Sequence, residues 1–365
     1  MTSQSAFRFM PWTFAFLSVF LSLSSQARSF EDFKPCLYTS SLTLASNTNS
    51  MPSSEEDLRS ITSTPAEDTS TPLLLSESST FFSFKSVRTR KYILFPALGS
   101  FVLPGLDQWL TGQTSAGMFY SGYALAGYGA TVWAAQKINN EDLINTETDS
   151  EGGMPTEPTH QLLSVAAQAT MAAGFLSAYH SFRTYAESSG DTRYAYIKNN
   201  GDTMEGVMLA PFKFKFLARP TTIVPLLLAG ALLASNVKDD NARKVAASDT
   251  GFLAATSYQA GVGEEAFFRG FLYPYMTTTT DSEIWGSIIS SVIFGAAHIS
   301  SDNPVPVVQT LFGFYDAYVT HRNNWSIQES TFIHFWWDVI VLAAAYSAAP
   351  ESRLHYNKNI INFAF

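Results

Sequence analysis

The sequence predicts an all-α fold, a polytopic transmembrane helical bundle of about eight spans. Of the 365 residues, 46% are hydrophobic and only 15% are charged, which is few for a soluble globular protein. From Tyr92 onward, apolar runs long enough to cross a bilayer alternate with short polar loops. Each run must be helical, because lipid satisfies no backbone hydrogen-bonding group. Three of these runs carry ionisable groups that could face one another, which predicts a polar cavity inside the membrane.

The formal net charge of −9 excludes one class of partner. Acidic residues are concentrated in two polar stretches, 55–68 and 141–151, and no basic stripe is present that could neutralise phosphates. Nucleic acid is therefore excluded, whereas the lipid bilayer is predicted to surround the apolar runs. Cys36 is the only cysteine, so an intrachain disulfide and a cysteine-rich zinc cluster are excluded as well.

The N-terminal region is predicted to contain a signal peptide, residues 1–27, and a disordered segment, residues 28–90. Arg8 precedes an apolar run that small residues suited to a cleavage site follow. The run is shorter than the roughly 20 residues that cross a bilayer, so an uncleaved anchor is the weaker alternative. The next segment is rich in Ser, Thr and acidic residues, and it has too little apolar surface to order itself.

The apolar runs place the helices along the chain. We predict helical spans near residues 92–110, 117–135, 161–179, 221–236, 250–275, 284–299, 304–320 and 329–348. Pro96 and Pro104 interrupt the first span, which favours a kink or a re-entrant hairpin. Residues 206–219 interleave aromatic and basic side chains, which suits a helix in the membrane interface or, equally, a basic flank of the next span.

These assignments divide the remainder of the chain into three parts. Residues 91–205 form additional N-terminal transmembrane helices, residues 206–349 form the core, and residues 350–365 form a polar tail. The core contains all three groups of ionisable residues that could face one another. The protein is therefore predicted to be an integral, multi-pass membrane protein with its chemistry in the second half of the chain.

Two carboxylates and a guanidinium stand together in the fifth predicted span. Glu265 and Arg269 are four residues apart and share a helical face, where they can form an ion pair. Glu264 is rotated by roughly 100° from its neighbour and has no local partner, so it can face a cavity. Because burying a charge at membrane depth costs free energy, these three residues are expected to have a structural or chemical role. For the pair, a salt bridge without chemistry is the open alternative.

Two later spans contribute histidines. Phe294 and His298 lie four residues apart at the end of one span, where a lone histidine is usually a capping or snorkelling residue. His334 and Asp338 have the same spacing, and Asp338 can accept a hydrogen bond from one imidazole nitrogen and so orient the ring. The alternative for this second pair is a satisfied polar contact between helices.

The conjunction of these three groups is more specific than any one of them. If their spans converge, the groups form an intramembrane active-site cavity. Gln309 and Asp316 lie on the span between the two histidine groups. They face the same cavity or serve as polar groups that pack helices together.

In order and spacing, these groups resemble the CAAX protease and bacteriocin-processing (CPBP) family. Its members are intramembrane endopeptidases related to the Ras-converting CAAX prenyl endopeptidase. The shared pattern is Glu-Glu-x-x-x-Arg, then Phe-x-x-x-His, then His-x-x-x-Asp, within residues 206–349. The resemblance implies an enzyme, a hydrolase that cuts a peptide bond near the membrane surface in a peptide or small-protein substrate.

By that resemblance, Glu264 is the general base that activates water and His298 shares the protons of that water. His334 then stabilises the oxyanion of the tetrahedral intermediate. Structural support comes from Glu265, Arg269 and Phe294. One position departs from the prenyl-protein enzymes, where Asn is common: an ionised Asp338 only accepts hydrogen bonds, so it orients His334 and leaves that ring as the donor.

Two other function classes compete with a peptidase. A non-catalytic membrane scaffold or immunity-type protein of the same fold would be favoured by loss of a motif residue, and none is lost. A proton-relay transporter predicts inverted repeats, and the two halves of the chain do not resemble each other.

The cofactor prediction follows from the spacing of the possible ligands. Glu264, His298 and His334 are possible zinc ligands, and three would suffice for a catalytic site. The helical His-Glu-x-x-His arrangement is absent, so a mechanism without metal or other cofactor is predicted, with zinc as the alternative.

Overall fold

A computed structural model describes residues 82–84, 92–140, 158–198, 200–236, 245, 247–299 and 304–347. Over these residues the chain is helical and contains no strand, so the predicted all-α class is confirmed. The predicted signal peptide, most of the predicted disordered segment and the polar tail lie outside the described residues.

Ten helices carry the architecture of the described part. They are α1 (Leu94–Val102), α2 (Leu106–Leu110), α3 (Thr114–Asn140), α4 (Pro158–Ser188), α5 (Pro220–Asn236), α6 (Ala247–Glu264), α7 (Tyr273–Thr280), α8 (Glu283–Ala296), α9 (Val307–Arg322) and α10 (Gln328–Ser347). Short helical turns lie at Thr192–Tyr194, Ala195–Lys198, Met204–Met208, Ala210–Phe212 and Phe214–Ala218. All eight predicted helical segments fall on these helices. The first is broken between α1 and α2, and 206–219 is a series of short turns, so its interpretation as one helix is wrong.

The break between α1 and α2 follows from Pro104 and Gly105. A proline cannot continue the backbone hydrogen-bonding of α1, and Gly105 takes a positive φ of 92° that other residues rarely adopt. The freed Gly105 N–H donates to Ser177 Oγ of α4 at 2.8 Å. The chain therefore turns back at this point while remaining attached to α4.

α4 is the central helix of the described part. It packs against α1 and α3 on one side and against α6 on the other, and nearly all of its second half is buried. Among the described residues it is the one helix whose length and composition would let it cross a membrane. Two shorter apolar helical stretches, Pro220–Ala231 and Glu283–Ala296, fall below that length.

Three residues from the segment predicted to be disordered pack against the helices. This N-terminal strap, residues 82–84, places the Phe82 ring edge-on against Phe119 with centroids 5.0 Å apart. The Ser83 carbonyl oxygen lies 3.1 Å from His180 Nε2 on α4. In the strap, aromatic residues contact an apolar surface that the local sequence, which favours disorder, does not reveal.

A wide helical turn separates α6 from α7. Residues Glu265–Leu272 form a π-helix, in which the Tyr273 N–H donates to the Phe268 carbonyl five residues earlier. All eight residues of this π-segment are buried. Such wide turns are frequent at functional sites, and this one begins beside Glu264.

Close approach of α6 and α10 brings two parts of the candidate site together. A Cβ atom at Gly261 would lie 2.7 Å from the backbone nitrogen of Phe335 and 2.9 Å from its Cα. Only glycine permits this contact between helix backbones. Since Gly261 is one turn before Glu264 and Phe335 follows His334, the contact sets the distance between those two side chains.

Candidate active site

The Glu264 carboxylate faces both candidate catalytic histidines. Glu264 is the last residue of α6, and its Oε2 atom lies 3.8 Å from His298 Nε2 and 3.9 Å from His334 Nε2. The carboxylate is 18% exposed, whereas the neighbouring Glu265 is fully buried. The three side chains that the sequence placed on three separate spans therefore meet at one point.

The two ring nitrogens of His334 have different partners. Nδ1–H donates to Glu265 Oε1 at 2.9 Å, and Nε2 lies 3.5 Å from Asp338 Oδ2. Against the expectation that Asp338 orients the ring, the short hydrogen bond belongs to Glu265, a residue expected only to support the helix. The pairing fixes which nitrogen points toward Glu264.

Arg269 is the cation that balances the buried carboxylates. Its guanidinium lies 3.0 Å from Glu265 Oε1, as the four-residue spacing predicted, and 3.6 Å from Asp316 Oδ2 on α9. Its Cζ also lies over the Phe294 ring, 4.1 Å from the centroid, a distance suited to a cation–π contact. Asp316 thus pairs with Arg269, the second of the two arrangements expected for it.

His298 is positioned by a hydrogen bond at the end of α8 and by contact with the Phe294 ring. Its Nδ1–H donates to the Phe294 carbonyl oxygen at 2.8 Å, which leaves Nε2 facing Glu264. The Phe294 ring packs against both imidazoles, with centroids 4.7 Å from His298 and 5.9 Å from His334. Phe294 therefore supports the site by separating and orienting the two histidines.

A small cavity opens beside these groups. Its volume is about 20 Å³, and it is lined by Phe294, His298, Val308, Gln309, Phe312, His334, Trp337 and Asp338. A polar cavity of this size holds about one water molecule. The sequence singled out Gln309 only as one of two residues between the histidine groups, and it gave no signal for Val308 or Trp337.

The possible zinc ligands that the sequence singled out lie farther apart than the ligand atoms of a tetrahedral zinc site. Ligand atoms about 2.0 to 2.1 Å from a tetrahedral zinc lie about 3.3 to 3.5 Å apart. Glu264 Oε2 is farther than that from both His298 Nε2 and His334 Nε2. The ligand atoms that lie within 4.8 Å of one another belong to Glu265, Asp316 and His334, and the first two already pair with the Arg269 guanidinium.

The comparisons with known proteins point to one family. Residues 246–340 match the family model described as Type II CAAX prenyl endopeptidase Rce1-like. Neither the comparison with curated proteins nor that with solved structures found a match. The matched segment runs from the start of α6 into α10 and contains all three groups of the site. The resemblance that the sequence predicted is therefore confirmed over residues 246–340, which match the Rce1-like family model of type II CAAX prenyl endopeptidases.

Proposed function

We propose that this protein is an intramembrane endopeptidase that hydrolyses a peptide bond near the membrane surface. The observation that carries the proposal is the position of Glu264, whose carboxylate lies 3.8 Å from His298 Nε2 and 3.9 Å from His334 Nε2. A cavity of about 20 Å³, enough for one water, opens beside the two imidazoles. The family match supports the same class of reaction.

The proposed reaction begins with a water molecule between Glu264 and His298. The Glu264 carboxylate accepts one proton while the water oxygen bonds to the carbonyl carbon of the substrate, which forms a tetrahedral intermediate with a negative oxygen. Breaking of the C–N bond then releases the amine, which receives its proton from Glu264 through His298. The products are a carboxylic acid and an amine, which become a carboxylate and an ammonium when the acid proton passes to the amine, and no other reactant is required.

His334 would stabilise the negative oxygen. Its Nδ1–H is held by Glu265, so Nε2 faces the reacting group, and it donates when the ring carries both protons as an imidazolium. The hydrogen bond at Nδ1 fixes the ring before substrate binds, and preorganised donors of this kind contribute strongly to acyl transfer. Glu265 therefore acts as a positioning residue in this mechanism.

We also propose that the site lies within the membrane, in a bundle of about eight membrane-spanning helices. Large apolar side chains are exposed on the outer faces of four helices: Leu125 of α3, Leu227 of α5, Ile284 of α8 and Leu311 of α9. Glu265, Arg269 and Asp338 are buried between the helices. An apolar exterior around a polar interior suits a lipid environment.

Replacing Glu264 with Gln or His298 with Ala tests the assigned base. Each change removes a proton-transfer group, and Glu264→Gln does so with almost no change in volume, so cleavage is expected to fall about 10²- to 10⁴-fold. Purified protein in detergent micelles would be assayed with internally quenched peptides, with and without a prenylated C-terminal CAAX sequence. Protein N-termini would be compared in membranes that contain wild type or Glu264→Gln.

The matched control is Glu283→Gln, which removes an exposed carboxylate that pairs with His321 outside the site. Its cleavage rate is expected to equal that of wild type. Cleavage by Glu264→Gln at the wild-type rate would show that the base is misassigned. Identical protein termini in the presence of folded wild type and folded Glu264→Gln would instead favour the non-catalytic scaffold.

We also propose that the reaction needs no metal. Water activation by Glu264 and His298 supplies the proton transfers, and the wider spacing of the possible ligands disfavours zinc. Prolonged chelation is expected to leave the cleavage rate unchanged, and elemental analysis is expected to find zinc well below one ion per protein. Stoichiometric zinc, with activity lost on chelation and restored by zinc, would overturn this choice.

A further inference from the structure

The proposed oxyanion site is short of hydrogen-bond donors. His334 Nδ1–H is already engaged by Glu265, so that ring offers only Nε2. Asp338, when ionised, has no donor at all, and its Oδ2 lies 3.5 Å from the same His334 Nε2. Oxyanion sites of acyl-transfer enzymes commonly combine more than one donor.

Gln309 brings an uncharged amide to this place. It lies in the first turn of α9, is 4% exposed, and lines the small cavity together with His298, His334 and Asp338. Its neighbour Val307 is exposed, whereas Val308 and Gln309 both line the cavity. Gln309 therefore lies at the wall of the same cavity as both imidazoles.

We propose that Gln309 is a further catalytic residue, whose Nε2–H donates to the oxyanion alongside His334. The inference rests on the proposed peptidase function and adds a residue to it. A glutamine amide carries two N–H donors, so one hydrogen bond elsewhere still leaves a donor for the reacting oxygen. The amide supplies the donor that Asn would supply at position 338 in the prenyl-protein enzymes the chain resembles.

The role of Gln309 predicts a specific kinetic signature. The carbonyl oxygen gains negative charge when water adds to the carbonyl carbon, and loses it when the C–N bond breaks. Gln309 keeps its own protons throughout, and its hydrogen bond is strongest at the tetrahedral stage. Loss of this bond therefore lowers kcat and leaves KM nearly unchanged.

The test is Gln309→Met, which keeps the length of the side chain and removes both donors. With the internally quenched peptide that wild type cleaves fastest, kcat is expected to fall about 10²- to 10³-fold, with KM within about twofold of wild type. Gln161→Met is the matched control, because Gln161 is also buried and its amide bonds Asp249 and Tyr346 outside the site. Its kcat per folded molecule is expected to equal that of wild type.

A second variant keeps the proposal testable if Gln309→Met lowers activity through misfolding. The double variant adds Asp338→Asn to Gln309→Met and so places an amide donor on the other side of the cavity. Its kcat is expected to be at least tenfold higher than that of Gln309→Met alone. Absence of any recovery in folded double variant would overturn the proposal. So would an unchanged kcat in Gln309→Met.

Two further outcomes separate this inference from the function on which it rests. In the first, kcat falls in Trp337→Phe but stays at the wild-type value in Gln309→Met. This result would assign the donor to the indole N–H of Trp337 and overturn the role of Gln309. Wild type no faster than Glu264→Gln on every peptide would overturn the peptidase function, and the role of Gln309 with it. An active wild type with unaffected Gln309→Met overturns only the role of Gln309.

Discussion

At the scale of the single residue, Arg269 carries the charge balance of the site. Its guanidinium is 1% exposed and lies within 3.6 Å of two fully buried carboxylates, on Glu265 and Asp316. Its contact with the Phe294 ring adds an aromatic surface to the same side chain. Burial of so many ionisable groups is tolerable only when each has a partner of opposite charge.

Arg269→Ala is therefore expected to lower the amount and the stability of folded protein. Removing Arg269 leaves Asp316 without its cation and Glu265 with His334 as its remaining partner, and breaking a buried pair costs about 3 to 5 kcal/mol. Thermal unfolding in detergent measures the effect. Arg193→Ala is the control, because its ion pair with Asp191 has the arginine 69% exposed, and exposed pairs contribute at most about 1 kcal/mol. Equal stabilities of the two variants would show that Arg269 is not needed as a counter-ion.

Residue contacts were predictable where they are local. The Glu265–Arg269 pair follows from a spacing of four residues, and the sequence predicted it. The hydrogen bond from His334 to Glu265 joins residues 69 positions apart, and no helical periodicity encodes such a contact. Sequence spacing therefore favoured Asp338, four residues from His334, as the partner that orients the ring.

At the scale of the element, apolar runs located the helices because a long helix in apolar surroundings needs a continuous apolar surface. The runs predicted at 117–135 and 161–179 lie inside α3 and α4, each of which extends further into polar residues. The π-segment could not be predicted, because an apolar run gives the same signal whether its turns are α or π. The interpretation of residues 206–219 as one interfacial helix failed for another reason. Alternating aromatic and basic residues suit short turns as well as an interfacial helix.

Gly261→Ala tests the contact between α6 and α10. The added Cβ would fall 2.7 Å from the Phe335 backbone nitrogen, so the helices must separate, at a cost of about 1 to 3 kcal/mol. Because Glu264 and His334 flank this contact, the cleavage rate is expected to fall by about 10²-fold, the effect of a misplacement near 1 Å. Unfolding temperature and cleavage rate are both measured.

Gly251→Ala on the same helix is the matched control. A Cβ at Gly251 meets nothing within 4 Å, and alanine favours a helix over glycine by about 0.5 to 1 kcal/mol. This variant is expected to be slightly more stable than wild type and equally active. If Gly261→Ala behaved like Gly251→Ala, the close contact would not control the geometry of the site.

At the scale of the whole molecule, the N-terminal strap lies outside the matched family domain and packs against the helical core. Its aromatic rings pack on α3 and α4, and α4 in turn packs against α6, which carries Glu264. The helices before residue 246 therefore support the site through α4. Neither the strap nor this support was predictable, because both depend on a surface assembled from distant helices.

Replacing Phe84 with Ala tests the strap. Its ring packs edge-on against His180 with centroids 5.5 Å apart, and the side chain is half-buried. The free energy of unfolding is expected to fall by about 1 to 3 kcal/mol, below the 3 to 5 kcal/mol typical of a fully buried phenylalanine. Phe95→Ala, at a 62% exposed position on α1, is expected to change it by less. An unchanged unfolding temperature in Phe84→Ala would mean that the strap adds no stability.

The wide turn at Glu265–Leu272 has a consequence for changes in chain length. Hydrogen bonds that reach back five residues accommodate one residue more per turn than an α-helix does. Deleting a single residue from this segment would let α6 continue into α7 as an ordinary helix, with both flanking helices preserved. The adjacent carboxylates of Glu264 and Glu265 would then no longer approach the same imidazole of His334. A one-residue deletion here can therefore abolish the site while every side chain that the sequence pattern requires is still present.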